Sequence, residues 1–170
     1  IEGWESASWT PWNRPGTVRT RGIEFVSKFK PSELLNFNFN YTNNSTYDGA
    51  DFDDPDLTAG AITNSQIVRV PRHLFNLVTE ITPNKNLDFT WKVKWSDTMR
   101  DYGNVNVPTD GSASDVRLDD FLVNDLAINY KLDGYKVFLK VNNVFNEKYN
   151  TALQYSQMNR AFNFGIKRLF

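Results

Sequence analysis

The sequence predicts an all-β protein, an antiparallel up-and-down transmembrane β-barrel. Three observations carry that prediction. Apolar and polar residues alternate with period two in seven segments. The connections between those segments alternate between short and long. Aromatic residues make up 15% of the chain, well above an ordinary domain's share, and they gather on the apolar side of each alternation.

The segments follow in chain order. "EGWESASWT" reads as the end of an eighth strand ahead of the seven clear ones. In "GIEFVSKFK", Ile23, Phe25 and Phe29 oppose Glu24, Val26 and Lys28. In "LLNFNFNYTNN", Leu35, Phe37, Phe39 and Tyr41 oppose Asn36, Asn38 and Asn40; a helix would scatter these around its axis, and Asn is a poor helix interior residue. "LFNLVTEI" sets Phe75, Leu77, Thr79 and Ile81 against Asn76, Val78 and Glu80. "LDFTWKVKWS" sets Leu87, Phe89, Trp91, Val93 and Trp95 against Asp88, Thr90, Lys92, Lys94 and Ser96. "DLAINYKL" separates Leu126, Ile128, Tyr130 and Leu132 from Asp125, Asn129 and Lys131. "YKVFLKVNN" sets Val137, Leu139 and Val141 against Lys136, Lys140 and Asn142, with Phe138 an exception on the polar side. The last segment, "AFNFGIKRLF", opposes Phe162, Phe164, Ile166 and Phe170 to Asn163, Gly165 and Lys167, and Arg168 is the odd cation on its apolar face.

The connections "KPSE", "TPNKN" and "KLDGYK" are short and carry Pro, Asn or Gly turn chemistry. Those near 11–17, 44–66, 98–116 and 147–159 are long. Sequential strands therefore pair as a meander, with short turns at one end and long loops at the other.

Composition excludes several classes. Lys and Arg total 19 against 20 Asp and Glu, so there is no basic excess to hold a nucleic acid. The absence of cysteine removes disulfides and thiolate metal sites. No basic and apolar leader is read at the N-terminus, and no run approaches the roughly 18 apolar residues of a membrane helix.

Two solvents are compatible with the alternation. A soluble ligand-binding β-barrel turns its apolar face inward, whereas a membrane barrel turns it toward lipid. The second fits the ten-residue alternation of 87–96, about the length of a tilted spanning strand. It also fits the aromatics at the ends of the apolar faces, Tyr41 and Trp95 toward the long loops and Tyr130 and Tyr135 toward the short turns. A sheet in lipid must close, so the final segment reads as a closing strand, with Phe162, Phe164 and Ile166 facing lipid and Phe170 at the boundary.

Four stretches together resemble the C-terminal part of TonB-dependent outer-membrane receptors, the family of cobalamin and ferric-siderophore transporters: "NRPGTVRTRGIEF", "LNFNFNYTNN", "VRVPRHLFNL" and "KVNNVFNEKYNTALQYSQMNRAFNFGIKRLF". The last carries an Asn-Val-Phe-Asn-Glu-Lys-Tyr run at 143–149, and Asn159 stands where the family has Gly before Arg. The resemblance implies a barrel of about 22 strands around an N-terminal plug. Residues 1–170 then correspond to its C-terminal seven or eight strands, with the plug domain and TonB box outside this chain. It implies residence in the bacterial outer membrane, with lipid, the plug, a TonB-type energy-transducing protein and a small metal chelate or vitamin as partners. It also implies that the terminal strand ending at Phe170 is read by barrel-assembly machinery. Seven strands ending in the periplasm must begin outside.

Function is then expected to be transport rather than catalysis, with no cofactor: energy-coupled uptake of a scarce nutrient such as a ferric siderophore or cobalamin. A complete eight-strand membrane barrel with a structural or adhesion role is the alternative. The resemblance places ligand contacts in outer loops and the upper wall, which makes Trp9, Trp12, Phe52, Arg69, Arg72, Tyr102, Tyr155 and Arg160 candidates, aromatic and guanidinium groups suiting a large anionic chelate. Asp48, Asp51, Asp53, Asp54 and Asp56 offer calcium-type oxygen ligands, although their spacing matches no EF-hand and the stretch reads first as a solvated acidic loop. His73, the single histidine, follows Pro71 and Arg72 at the start of a strand, where a structural role is expected. Glu24, Lys28, Glu80, Lys92, Lys94 and Asp125 suit a wet interior, either paired across strands or facing a plug.

Overall fold

The alternating segments form seven strands: β1 (Thr17–Ser32), β2 (Leu35–Gly49), β3 (His73–Asn84), β4 (Leu87–Ser96), β5 (Phe121–Leu132), β6 (Tyr135–Asn142) and β7 (Ala161–Arg168). A computed structural model describes residues 3–4, 11–12, 17–49, 67–102 and 115–169. The strands pair in sequence order into one antiparallel sheet, with β1 and β7 as its edges. At about 3.3 Å per residue and a tilt near 40°, the ten residues of β4 span about 25 Å. The 16 residues of β1 reach well beyond that.

Register sorts the side chains onto two faces, with shifts only at the short-turn ends, between Phe29 and Ser32 and between Ile81 and Asn84. One row crosses all seven strands: Phe29, Phe37, Thr79, Trp91, Leu126, Val141 and Phe162. Above it run Phe25, Tyr41, Phe75, Trp95 and Leu122. Phe39 makes edge-to-face contacts with Phe25 and Phe75 at 5.7 and 5.2 Å, continuing the apolar surface across strands. The opposite face carries the row Lys28, Asn38, Val78, Lys92 and Asp125. There the strand asparagines act as donors: Asn40 Nδ2 reaches Glu24 at 2.6 Å and Asn36 Nδ2 reaches Glu80 at 2.7 Å. Amide partners, rather than lysines, satisfy these carboxylates.

Turn chemistry fixes the short ends. Asp133 and Gly134 both have positive φ, 27° and 79°, as a two-residue hairpin that matches strand twist requires. On the polar face, Phe138 lies over Gly165 of β7, where a Cβ would come within 2.7 Å of the ring. The exceptional phenylalanine thus covers a strand glycine that has no side chain of its own.

Among the described residues the buried apolar cluster holds only Met99, Leu118, Phe121 and Val123. It sits at the long-loop end, where strands Met99–Tyr102 and Asp115–Leu118 pair as a ribbon. The main apolar face is uncovered: Phe164 is 84% exposed, and Ile23, Phe162 and Ile166 are similarly open. A water-soluble sandwich would bury this face against a second sheet. A lipid-facing wall leaves it as it is.

The structure adds detail inside the long connections. Gly3–Trp4 pairs with Pro11–Trp12, and Asn150–Ala152 pairs with Tyr155–Ser156, neither of which shows extended alternation. β1 and β2 also continue past the alternating segments into Thr17–Arg21 and Ser45–Gly49. Backbone pairing needs no apolar side chains once the hairpin is aligned.

Candidate functional site

At the long-loop end of the polar face lies a cavity of about 270 Å³. β4 contributes Lys92 and Lys94, β5 contributes Val123 and Asp125, and β6 contributes Asn142; Asn143, Tyr149 and Met158 come from the following connection. Period two aligns Lys92 with Lys94 and Val123 with Asp125, and the register sets Lys92 opposite Asp125 and Lys94 opposite Val123.

The connection is shaped by Asn143, which is 3% exposed with φ at 51°, a conformation Asn tolerates better than most residues. Its Oδ1 accepts from the Glu147 amide at 2.8 Å, and its Nδ2 donates to the carbonyls of Glu147 (2.8 Å) and Met158 (3.3 Å). Its own amide donates to Asp125 Oδ1 at 2.8 Å. One buried side chain therefore closes the 143–149 turn and ties it to the chain approaching β7. Asn146 Oδ1 accepts from the Arg160 amide at 2.9 Å, and Arg160 Nη1 donates to the Val144 carbonyl at 3.3 Å.

This turn brings Tyr149 onto Phe121, with centroids 4.3 Å apart, while Lys94 Nζ sits 5.6 Å from the Phe121 centroid. Burial pushes the Tyr149 hydroxyl above the usual tyrosine range, and the nearby Asp125 charge adds to the effect. Tyr149 is therefore a neutral hydrogen-bond donor at physiological pH. Two ammonium groups, a phenol and the Asn142 amide surround a carboxylate already engaged by a backbone amide. This recess suits an anionic ligand rich in acceptors; it contains no nucleophile paired with a base.

A second constellation braces the loops. Arg69, at φ 60°, donates from Nε to Asp101 Oδ1 at 2.8 Å, and its amide donates to the Arg100 carbonyl. Asp101 is 2% exposed, and its other oxygen accepts from the Leu153 amide. Three long connections converge on one carboxylate.

Of the sequence-proposed ligand residues, the four with described side chains, Arg69, Arg72, Tyr155 and Arg160, do not line this recess. Arg69 braces loops and Arg160 clamps a turn while lying 6.0 Å from the Phe162 ring. Arg72 and Tyr155 are exposed on separate connections. Only the strand positions of Trp12, Tyr102 and Asp48 are described. Trp9, Phe52, Asp51, Asp53, Asp54, Asp56 and Phe170 lie outside the described residues. Among the described residues no group of three or more acidic or histidine side chains forms a metal site. His73 lies on the apolar face, where Nδ1 accepts from Asn43 Nδ2 at 3.1 Å and lies 2.8 Å from the Tyr41 hydroxyl. Of the cavity, Lys92, Lys94 and Asp125 were visible in sequence as interior charges. Asn142 was visible as a polar-side strand residue, whereas Asn143, Tyr149 and Met158 were not, and the 143–149 motif was the signal that pointed to their turn.

The family described as TonB dependent receptor-like, beta-barrel matches residues 3–144. No curated protein sequence matches the chain. Among solved structures, the ferric-catecholate import receptor Fiu from E. coli aligns with a TM-score of 0.68 at 15% identity, over 88% of this chain and 20% of its own. The ferripyoverdine receptor of the Pseudomonas aeruginosa outer membrane gives 0.65 at 18% identity, covering 88% and 19%. The FrpB iron transporter from Neisseria meningitidis gives 0.64 at 17% identity, covering 88% and 23%. The chain thus spans about a fifth of the length of these receptors, whose barrel fold it shares.

Proposed function

The chain belongs to the TonB-dependent receptor β-barrel family, and from that premise we propose that residues 1–170 are the C-terminal part of a transmembrane barrel domain in a longer outer-membrane receptor. The plug domain and TonB box lie elsewhere in that protein. The receptor imports a ferric chelate, in an uptake step driven by a TonB-type partner acting through the plug. The wall described here performs no bond chemistry on the cargo.

One observation carries this reading: an apolar wall on one side of the sheet is backed by a cationic recess on the other. Lys92 and Lys94 supply positive charge at the outer end of the lumen, where an anionic chelate would pass the rim. Tyr149 offers a donor that stays protonated. Arg72 and Tyr155, exposed on outer connections, are candidates to meet such a ligand first. The iron-related names of the structural neighbours favour a ferric chelate over cobalamin.

The test is uptake by cells lacking the complete gene, compared with cells carrying it. Radioiron delivered as catecholate or pyoverdine-type chelates should enter only with the gene and only with an active energy-transducing partner. Labelled cobalamin should be indifferent to both. Gene-independent entry of every iron chelate would refute the substrate class, and absence of the protein from outer-membrane fractions would refute the location.

A further inference from the structure

We propose that Arg19 and Arg21 form a binding site for the phosphate groups of an outer-leaflet lipid. The proposal rests on the reading that the apolar face meets lipid.

Residue register places both guanidinium groups on that face. Arg21 pairs with Ser45 and Arg19 with Tyr47, continuing the outward series Ile23, Phe25 and Phe29 on β1. Both arginines are exposed. Their surroundings are unusual in charge. Among the described in-register strand positions that share this face from β1 to β7, none is Asp or Glu; Glu24, Glu80, Asp88 and Asp125 all point to the polar side. The carboxylate nearest in character, Asp120, lies beyond the start of β5, where Trp95 Nε1 donates to it at 3.4 Å, four strands away.

Height makes the pair informative. Arg21 and Arg19 lie twelve and fourteen residues from Glu33 in the short turn. At about 2.5 Å of vertical rise per tilted residue they stand about 30 and 35 Å above that turn. The apolar band of such a wall is about 25 Å tall, so both fall just outside it, at the depth of lipid headgroups. Phe25 and Tyr41 lie below them inside the band.

Among the described residues no carboxylate shares this face with the two guanidinium groups, which leaves them open to water and to lipid phosphate. Guanidinium groups bind phosphate bidentately, which an ammonium cannot do. Two of them at alternate strand positions stand about 7 Å apart, within reach of one doubly charged phosphate or of two phosphates on one headgroup. The apolar residues immediately below would seat the acyl chains of the same molecule. That continuity selects a lipid over a free phosphate.

The experiment uses the complete receptor in detergent and measures binding of lipid A bisphosphate, its dephosphorylated form and inorganic pyrophosphate. Arg19→Gln with Arg21→Gln should weaken lipid A binding at least about tenfold, and the doubly Lys-substituted receptor should fall between. Dephosphorylated lipid should bind the unaltered receptor as weakly as lipid A binds the Gln variant. Pyrophosphate should not compete at millimolar concentration. Unchanged lipid A affinity in the Gln variant, equal binding of dephosphorylated lipid, or full competition by pyrophosphate each overturns the site. Heat-modifiable gel mobility checks that each variant folds. Quenching of Trp91 and Trp95 by brominated acyl chains tests the lipid-facing reading separately, and its absence would sink that reading whatever the phosphate result.

Discussion

Replacing Asn143 should open the outer end of the wall while leaving the strands below intact. Its side chain makes three hydrogen bonds, to the Glu147 amide, the Glu147 carbonyl and the Met158 carbonyl, from a site only 3% exposed. Asn143→Ala removes all three, and water entering the space recovers part of the loss, so about 1 kcal/mol per orphaned group is a fair scale. Alanine at φ 51° adds about 1 kcal/mol more, because its Cβ crowds the backbone in the left-handed region. The local opening free energy should therefore fall by about 4 kcal/mol, and by about 3 kcal/mol for Asn143→Gly, which has no such crowding.

Amide hydrogen exchange at Glu147 reads this opening directly. Protection should drop about 1,000-fold for the alanine variant and about 100-fold for glycine, while the β4 and β5 amides stay protected. If both variants protect Glu147 as the native residue does, the hydrogen bonds do not hold the turn. If glycine behaves as native and only alanine loosens, backbone conformation alone explains the asparagine.

Four further outcomes follow from the geometry. Gly22→Ala should harm barrel assembly more than Gly165→Ala: the first new Cβ would stand 2.7 Å from the Asn43 backbone oxygen, which cannot move aside, whereas the second meets the end of the Phe138 ring. Folding yield by heat-modifiable mobility measures both, and Phe138→Leu should rescue Gly165→Ala in part, since shortening the ring's reach relieves an overpacking cost of about 1–3 kcal/mol. Asp101→Ala should make the loops near 67–72 and 150–156 cleavable by added protease, because it frees both Arg69 and the Leu153 amide; unchanged cleavage would show that the pair holds nothing. Tyr149 has a raised pKa, so its contribution is complete below the ordinary tyrosine range and is lost as pH climbs through the raised value. In a spectrophotometric titration it should ionise above the ordinary tyrosine range, and that late component should vanish in Tyr149→Phe.

Much of this fold was legible because a sheet face has a period of two. The segment 87–96 appears in the structure with the same bounds, since its alternation is complete and turn or polar residues flank it. β1 and β2 extend further than their alternation because Thr17–Arg21 and Ser45–Gly49 pair through the backbone, a contribution that leaves no hydropathy signal. Phe138 could not be explained in sequence, because its reason, the bare backbone at Gly165, lies on a partner strand more than twenty residues away. The cavity was half visible for the same reason. Its strand residues follow from register, but Tyr149 and Met158 arrive through a turn whose shape depends on one buried amide. Arg69 and Arg160 suited a ligand by residue type alone, whereas Asp101 and the Val144 carbonyl engage them in bracing contacts.

The two faces treat polar groups by different rules, and the difference bears on which solvent each one meets. On the polar face, Glu24 and Glu80 take single asparagine donors and leave acceptor sites open, which water in a lumen can fill. On the apolar face, polar side chains turn to each other. Trp91 Nε1 donates to Asn124 Oδ1 at 3.0 Å, and His73, Tyr41 and Asn43 form a closed group near the outer boundary. Lipid would leave such groups unsatisfied at a cost of several kcal/mol each, so pairing is required there and optional on the other side. The same logic explains why charged strand residues crowd one face while arginines on the other appear only beyond Ile23 and at Arg168, near the strand ends. Charge on the outward face is tolerated where a headgroup can reach it. The height at which Arg19 and Arg21 first appear therefore marks where hydrocarbon gives way to phosphate.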